Sequence, residues 1–141
     1  MTNQALEQVV RASHEVFMLT GDRIAKALEE LRLTHATAQA LWAIDPEQPA
    51  PSMTVLAGRL FCNAPNLSFL VNQLADRGYV ERAVDPGDRR SRIVVLTEQG
   101  RRARERVIDV TLAETPFAGC EPEDLRRLAE IFQRILSRTD R

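Results

Sequence analysis

The densest chemistry in the chain is a cluster of guanidinium groups: Asp88-Arg89-Arg90-Ser91-Arg92 packs three arginines beside one carboxylate. The planar fork of arginine donates two parallel hydrogen bonds to a phosphate or a guanine edge, which the point charge of lysine does not. All but one of the 19 basic residues are arginine, Lys26 being the exception. A second set, Asn66, Ser68, Asn72 and Gln73, is uncharged and rich in amides. An amide presents a donor and an acceptor side by side, the pattern that pairs with adenine. Neither set is catalytic. The chain has no P-loop, Gly-x-Gly-x-x-Gly, Gly-x-Ser-x-Gly or His-Glu-x-x-His pattern, so no enzyme is expected. His14 and His35 do not form a metal site by spacing, and Cys62 and Cys120 are too few for a disulfide scaffold or a zinc-type pair of pairs. No cofactor and no metal are expected.

Charge is unevenly placed. Residues 1–76 carry five basic and eight acidic side chains, residues 77–106 nine and five, and residues 107–141 five and seven. The formal net charge of −1 therefore conceals a positive central segment suited to a polyanion. With 141 residues the chain is expected to form a single domain. Its aromatic content of 5% leaves little for a platform on which single-stranded bases stack. The longest apolar run, Ala40 to Ile44, is far short of a membrane span. Met1-Thr2-Asn3-Gln4 does not begin a secretory signal, so a cytoplasmic location is expected.

The elements that must position these groups are legible from periodicity and caps. Leu6, Val10, Ser13, Phe17, Thr20, Ile24, Ala27 and Leu31 recur at steps of four and three, a heptad seam that a lone helix cannot bury. Val9, Val16 and Leu28 flank it. Thr34 caps a second helix with Ala40, Leu41 and Ile44 on its apolar side, which the prolines between Asp45 and Pro51 end. Ser52 caps a short third helix carrying Val55, Leu56 and Leu60. Asn63 caps a fourth that ends at Gly78, with Leu67, Leu70, Val71 and Leu74 on one face. Pro65, Phe69, Asn72 and Asp76 lie opposite.

Tyr79–Val84 and Arg92–Leu96 read as strands, joined by a loop in which Asp85-Pro86-Gly87-Asp88 suits a type II turn. The loop would carry the arginine cluster on a protruding, flexible tip. Thr97 caps a fifth helix bearing Arg101, Arg102, Arg104 and Arg106, read as a solvated face, with Val107 and Val110 on an apolar edge. After a break at Pro116–Cys120, Pro122 opens a last helix striped by Leu125, Leu128, Phe132, Ile135 and Leu136. Two helices joined by a short turn and followed by a basic hairpin make a winged helix. The fold class is thus mainly α with a small β-hairpin wing. It is a winged helix-turn-helix reader over residues 33–100, with N- and C-terminal dimerisation helices over 1–32 and 101–141.

The chain resembles the MarR family of bacterial transcription regulators along nearly its whole length. The resemblance rests on Leu33-Thr34, Gln39, Leu41, Ile44, Leu56-Ala57, Leu70-Val71-Asn72-Gln73-Leu74 and Arg77-Gly78-Tyr79-Val80. Most specific is Asp85-Pro86-Gly87-Asp88-Arg89-Arg90-Ser91 running into Val95-Leu96-Thr97 and Gly100. It implies a homodimer with interlocked terminal helices, the fourth helix in the major groove and the wing in the adjacent minor groove. It further implies Arg90 entering that groove, Asp88 orienting it, and a small aromatic or anionic effector between the first helix and the reader. His14 beside Phe17 is a candidate lining of such a pocket, or a structural histidine on a helix flank. A narrow minor groove attracts arginine electrostatically, in agreement.

Unlike many relatives, this chain has no basic residue between Asn63 and Asp76. Phosphate contacts are therefore expected from Arg59, Arg77, Arg82, Arg89 and Arg92, and base contacts from Asn66, Ser68, Asn72 and Gln73. Pro65 opens the same exposed face. Phe69 suits a thymine methyl or folds over the helix surface, and some of the amides are equally read as solvated helix residues. Cys62, just before a helix cap, is a candidate oxidation switch or a small buried hydrophobe. The expected partner is a pseudo-palindromic duplex operator with half-sites about one helical turn apart, bound by a repressor. A winged helix used only as a protein-interaction module is the rival reading.

Overall fold

The computed structural model describes residues 3–139 and orders the elements as expected. They are α1 (Gln4–Glu30), α2 (His35–Trp42), α3 (Met53–Arg59), α4 (Ala64–Asp76), β1 (Val80–Asp85), β2 (Asp88–Leu96), α5 (Glu98–Glu114), a 3-10 turn (Pro116–Gly119) and α6 (Pro122–Ser137). The helix starts follow from side-chain capping of otherwise orphaned amides. The Thr37, Val55, Asn66 and Gly100 amides donate to the side chains of Thr34, Ser52, Asn63 and Thr97. Thr37 also accepts from the Thr34 amide, completing a reciprocal box.

The helix ends hold what the residue types concealed. At the end of α4, the Tyr79 amide donates to Leu74 and the Gly78 amide to Ala75, with Gly78 left-handed at φ +79°. This six-to-one and five-to-two pairing is a Schellman motif, where glycine is the ordinary choice. The same pairing closes α1, through Leu33 to Leu28 and Arg32 to Glu29. It closes α3 through Cys62 to Ala57 and Phe61 to Gly58. There the left-handed residues are Arg32 (φ +61°) and Phe61 (φ +53°), whose Cβ atoms make that conformation costly.

Leu41, Leu56, Leu67, Val71, Leu74 and Val94 are fully enclosed and bring α2, α3, α4 and the hairpin onto one core. From the flanking helices, Ile24 and Leu28 of α1 and Ala103 and Val107 of α5 complete it. Leu28, read from sequence as flanking the seam, is among the largest fully buried side chains. It lies one helical turn from Ile24, so those two side chains share a face against the core. Val55 is correspondingly exposed on α3, and Ile44 is buried just beyond the end of α2. Gly100 lets the first turn of α5 press against the hairpin, since a Cβ there would stand 1.8 Å from the Tyr79 carbonyl oxygen.

The first half of α1 and all of α6 stay outside this core. No residue of α6 is buried, and Leu6, Val10 and Phe17 of the predicted seam are exposed. Phe117 and Phe132 meet edge to face at 6.5 Å between ring centres, tying the 3-10 turn to α6. Among the described residues no helix is long and apolar enough to cross a membrane.

Candidate nucleic-acid interface

The hairpin differs from expectation at its tip. Gly87 lacks the positive φ that a type II turn requires at its third position. Instead the Asp85 carboxylate accepts a 2.9 Å hydrogen bond from the Gly87 amide, an Asx-type closure that needs no left-handed residue. Strand β2 starts at Asp88 directly after this tight turn, so the arginines belong to the strand and not to a long flexible loop. The register explains how they nonetheless protrude. Val84 pairs with Arg92 and Asp85 with Asp88, leaving Arg89, Arg90 and Ser91 without partners in β1. Such a bulge bends the strand and re-aims its side chains. The Asp88 carboxylate accepts from the Arg90 backbone amide at 3.0 Å, so it orients Arg90 through the main chain.

The arginines proposed for phosphate contact separate into two kinds. Arg59 donates to the Ala43 carbonyl at 3.0 Å, and with Arg104, which donates to Trp42 at 3.1 Å, it satisfies the exposed end of α2. Arg104 therefore does not belong to a purely solvated face. Arg77 donates to the Arg32 and Gln73 carbonyls, clamping the left-handed turn after α1 to the end of α4. Tyr79 reinforces that clamp with a 2.9 Å bond to the Leu31 carbonyl. Arg92 donates to the Arg89 and Ser91 carbonyls inside the bulge. The guanidinium groups of Arg89 and Arg90, by contrast, have no hydrogen bond or ion pair to the described residues and face solvent.

On α4 the two faces are as the periodicity requires. Leu67, Val71 and Leu74 are buried, whereas Pro65, Asn66, Phe69 and Asn72 are exposed and Ser68 and Gln73 half-buried. Phe69 is 61% exposed on this face. Arg82 on β1 reaches this face, donating to Asn72 Oδ1 at 2.7 Å and to the Ser68 carbonyl at 3.4 Å. One guanidinium therefore joins the hairpin to the amide-rich side of the helix. Phe61, at the turn before α4, is 78% exposed and was not among the sequence candidates. Its signal would have been a large apolar residue where the helix-turn-helix bends.

The candidates for sensing are dispersed. His14 and Phe17 are both exposed on α1, and the groove along that helix is lined by Gln4, Glu7, Gln8, Arg11, Ala12 and Glu15 instead. Cys62 is half-buried in the turn before α4, and neither it nor Cys120 is in a disulfide. No group of three or more potential metal ligands exists among the described residues.

Comparison with known proteins agrees with this architecture. A MarR family model matches residues 23–91, from the second half of α1 through the wing bulge. The fold is similar to that of AbsC, a MarR family transcriptional regulator from Streptomyces coelicolor, at TM-score 0.78 and 23% identity, covering 97% of this chain and 95% of that one. A second Streptomyces coelicolor regulator of that family, solved in complex with DNA, gives TM-score 0.78 at 24% identity over 100% of this chain and 92% of that one. CouR from Rhodococcus jostii, solved with p-coumaroyl-CoA, gives 0.73 at 23% identity over 99% and 96%. The model match ends within the wing at residue 91, and the fold likeness runs through both flanking arms. The chain is thus similar to MarR family transcription regulators: a model of that family matches residues 23–91, and the fold is that of solved regulators of the family.

Proposed function

We propose that the protein acts as a homodimer on a double-stranded DNA operator, with α4 in the major groove and the hairpin in the adjacent minor groove. The observation that carries this reading is the bulge at Arg89–Ser91, which presents two unengaged guanidinium groups on a hairpin bonded to the exposed face of α4. Arg90 is the minor-groove residue, with Arg89 beside it on phosphate. Asn66, Ser68, Asn72, Gln73 and Phe69 face base edges, and Pro65 starts that surface. Arg59, Arg77, Arg82 and Arg92 keep donors beyond their intramolecular bonds for the backbone phosphates.

The dimer forms through the exposed apolar residues of α1 and α6, which a second copy would bury. The protein represses transcription from the cytoplasm until a small aromatic or anionic effector, held near His14 and Phe17, shifts the geometry of the paired readers. The CouR complexes, one with a DNA duplex and one with p-coumaroyl-CoA, are precedents for a regulator of this fold that takes both kinds of ligand.

The test is duplex selection followed by affinity measurement with Arg90→Ala. At least a tenfold loss is expected, with the dimer intact by light scattering; unchanged affinity would remove Arg90 from the interface. Between 50 and 200 mM salt the wild type should lose about 10³-fold or more in affinity, as a complex with six or more phosphate contacts does. A flat response would point to the protein-interaction alternative.

A further inference from the structure

The bond between Arg82 and Asn72 settles which way the Asn72 amide faces. A guanidinium has only donors, so the atom it touches at 2.7 Å is the amide oxygen. Arg82 is itself anchored by the Ser68 carbonyl, one helical turn before Asn72, and by the β1–β2 ladder, in which it pairs with Val94. The oxygen is thus held toward the hairpin, and the NH₂ group is the edge left for a base. Engagement with a cation also polarises the amide and strengthens its remaining donors.

Free asparagine reads adenine because it donates to N7 and accepts from N6 at once. With its oxygen committed to Arg82, Asn72 presents donors alone, and the base edge with two acceptors in the major groove is guanine, at N7 and O6. We propose that Arg82 is a positioning residue for specificity, turning Asn72 from an adenine reader into a guanine reader. This inference rests on the DNA-binding reading above. It gives Arg82 a role that a phosphate contact would not have, since a phosphate contact carries no base preference.

The experiment is sequence selection from a random duplex library, with affinities for all four bases at each selected position, for wild type, Arg82→Ala, Asn72→Ala and the double variant. Both side chains are exposed, and circular dichroism melts check that each variant is folded. Wild type should prefer guanine at one position per half-site, and Asn72→Ala should flatten that position alone. Arg82→Ala should move the preference there toward adenine, changing the guanine-to-adenine ratio about tenfold, the scale of one bidentate contact. In the double variant the change due to Arg82 should vanish. A reduced salt slope is expected from the phosphate contact of Arg82 in any case; if Arg82→Ala lowers affinity by one factor for every base and leaves the guanine-to-adenine ratio unchanged, Arg82 is a phosphate contact alone and the inference is overturned. An unchanged profile with Asn72→Ala overturns it equally. A wild type that selects no sequence at all overturns the DNA-binding reading, and the inference with it.

Discussion

The reader and the arms use the same apolar residue types and leave them in opposite environments. In the reader, Leu41, Leu56, Val71, Leu74 and Val94 are wholly enclosed, whereas Leu6, Val10 and Phe17 on α1 and Ile131, Phe132 and Ile135 on α6 are 43% to 61% exposed. The reader is a finished core made by one chain. The arms are strongly amphipathic elements whose apolar stripes stay largely exposed outside that core, apart from Ile24 and Leu28 at the end of α1 and the contact of Phe132 with Phe117. A pattern of period 3.6 therefore specifies that a face is to be buried, but not by whom.

This contrast can be broken or sharpened by substitution. The largest effect is expected in the reader, where Leu41→Ala removes a fully enclosed side chain and should cost about 2–5 kcal/mol of stability in denaturant titration. A cost below about 1 kcal/mol would mean that the core is looser than its enclosure implies. Next is Gly100→Ala, whose methyl would collide with the Tyr79 carbonyl and should cost about 1–3 kcal/mol by strain. An unperturbed melt would show that α5 can lift from the hairpin freely. In the arms, Ile135→Ala should leave the far-UV spectrum intact while raising the dimer dissociation constant about tenfold by sedimentation equilibrium, equivalent to about 1.4 kcal/mol. An unchanged constant would place the dimer contact elsewhere. The smallest and opposite effect is expected at Arg32→Gly, which relieves a left-handed residue and should raise stability by about 1 kcal/mol. A loss instead would show that the exposed Arg32 side chain has a packing role.

Much of the reader was legible because its determinants are local. Thr34, Ser52, Asn63 and Thr97 cap helices by bonding amides three residues ahead, and Gly78 closes α4 as glycine ordinarily does. The left-handed turns at Arg32 and Phe61 were not legible, since arginine and phenylalanine carry no preference for that conformation. The hairpin was foreseen, but its turn type was not: Asp85 reaching the Gly87 amide competes with the type II geometry that Pro86-Gly87 suggests. Along α1 the seam was correctly amphipathic, yet only its last third reaches the core, and there through Leu28 more than through the seam residue Leu31.

The sequence by itself determined the order of the elements, the buried side of α4, the amide-rich side opposite, and the concentration of arginine at the wing. These depend on residues within about one helical turn or one strand pleat of each other. Only the tertiary structure decided which arginines are tied and which are free. Arg59, Arg77, Arg82 and Arg104 find their carbonyl or amide partners 10 to 62 residues away, across element boundaries. It also decided that a register shift, and not loop length, exposes Arg89 and Arg90. A guanidinium looks the same in the sequence whether it will bond a helix end or reach outward, because the choice is made by the acceptors that folding brings within its reach.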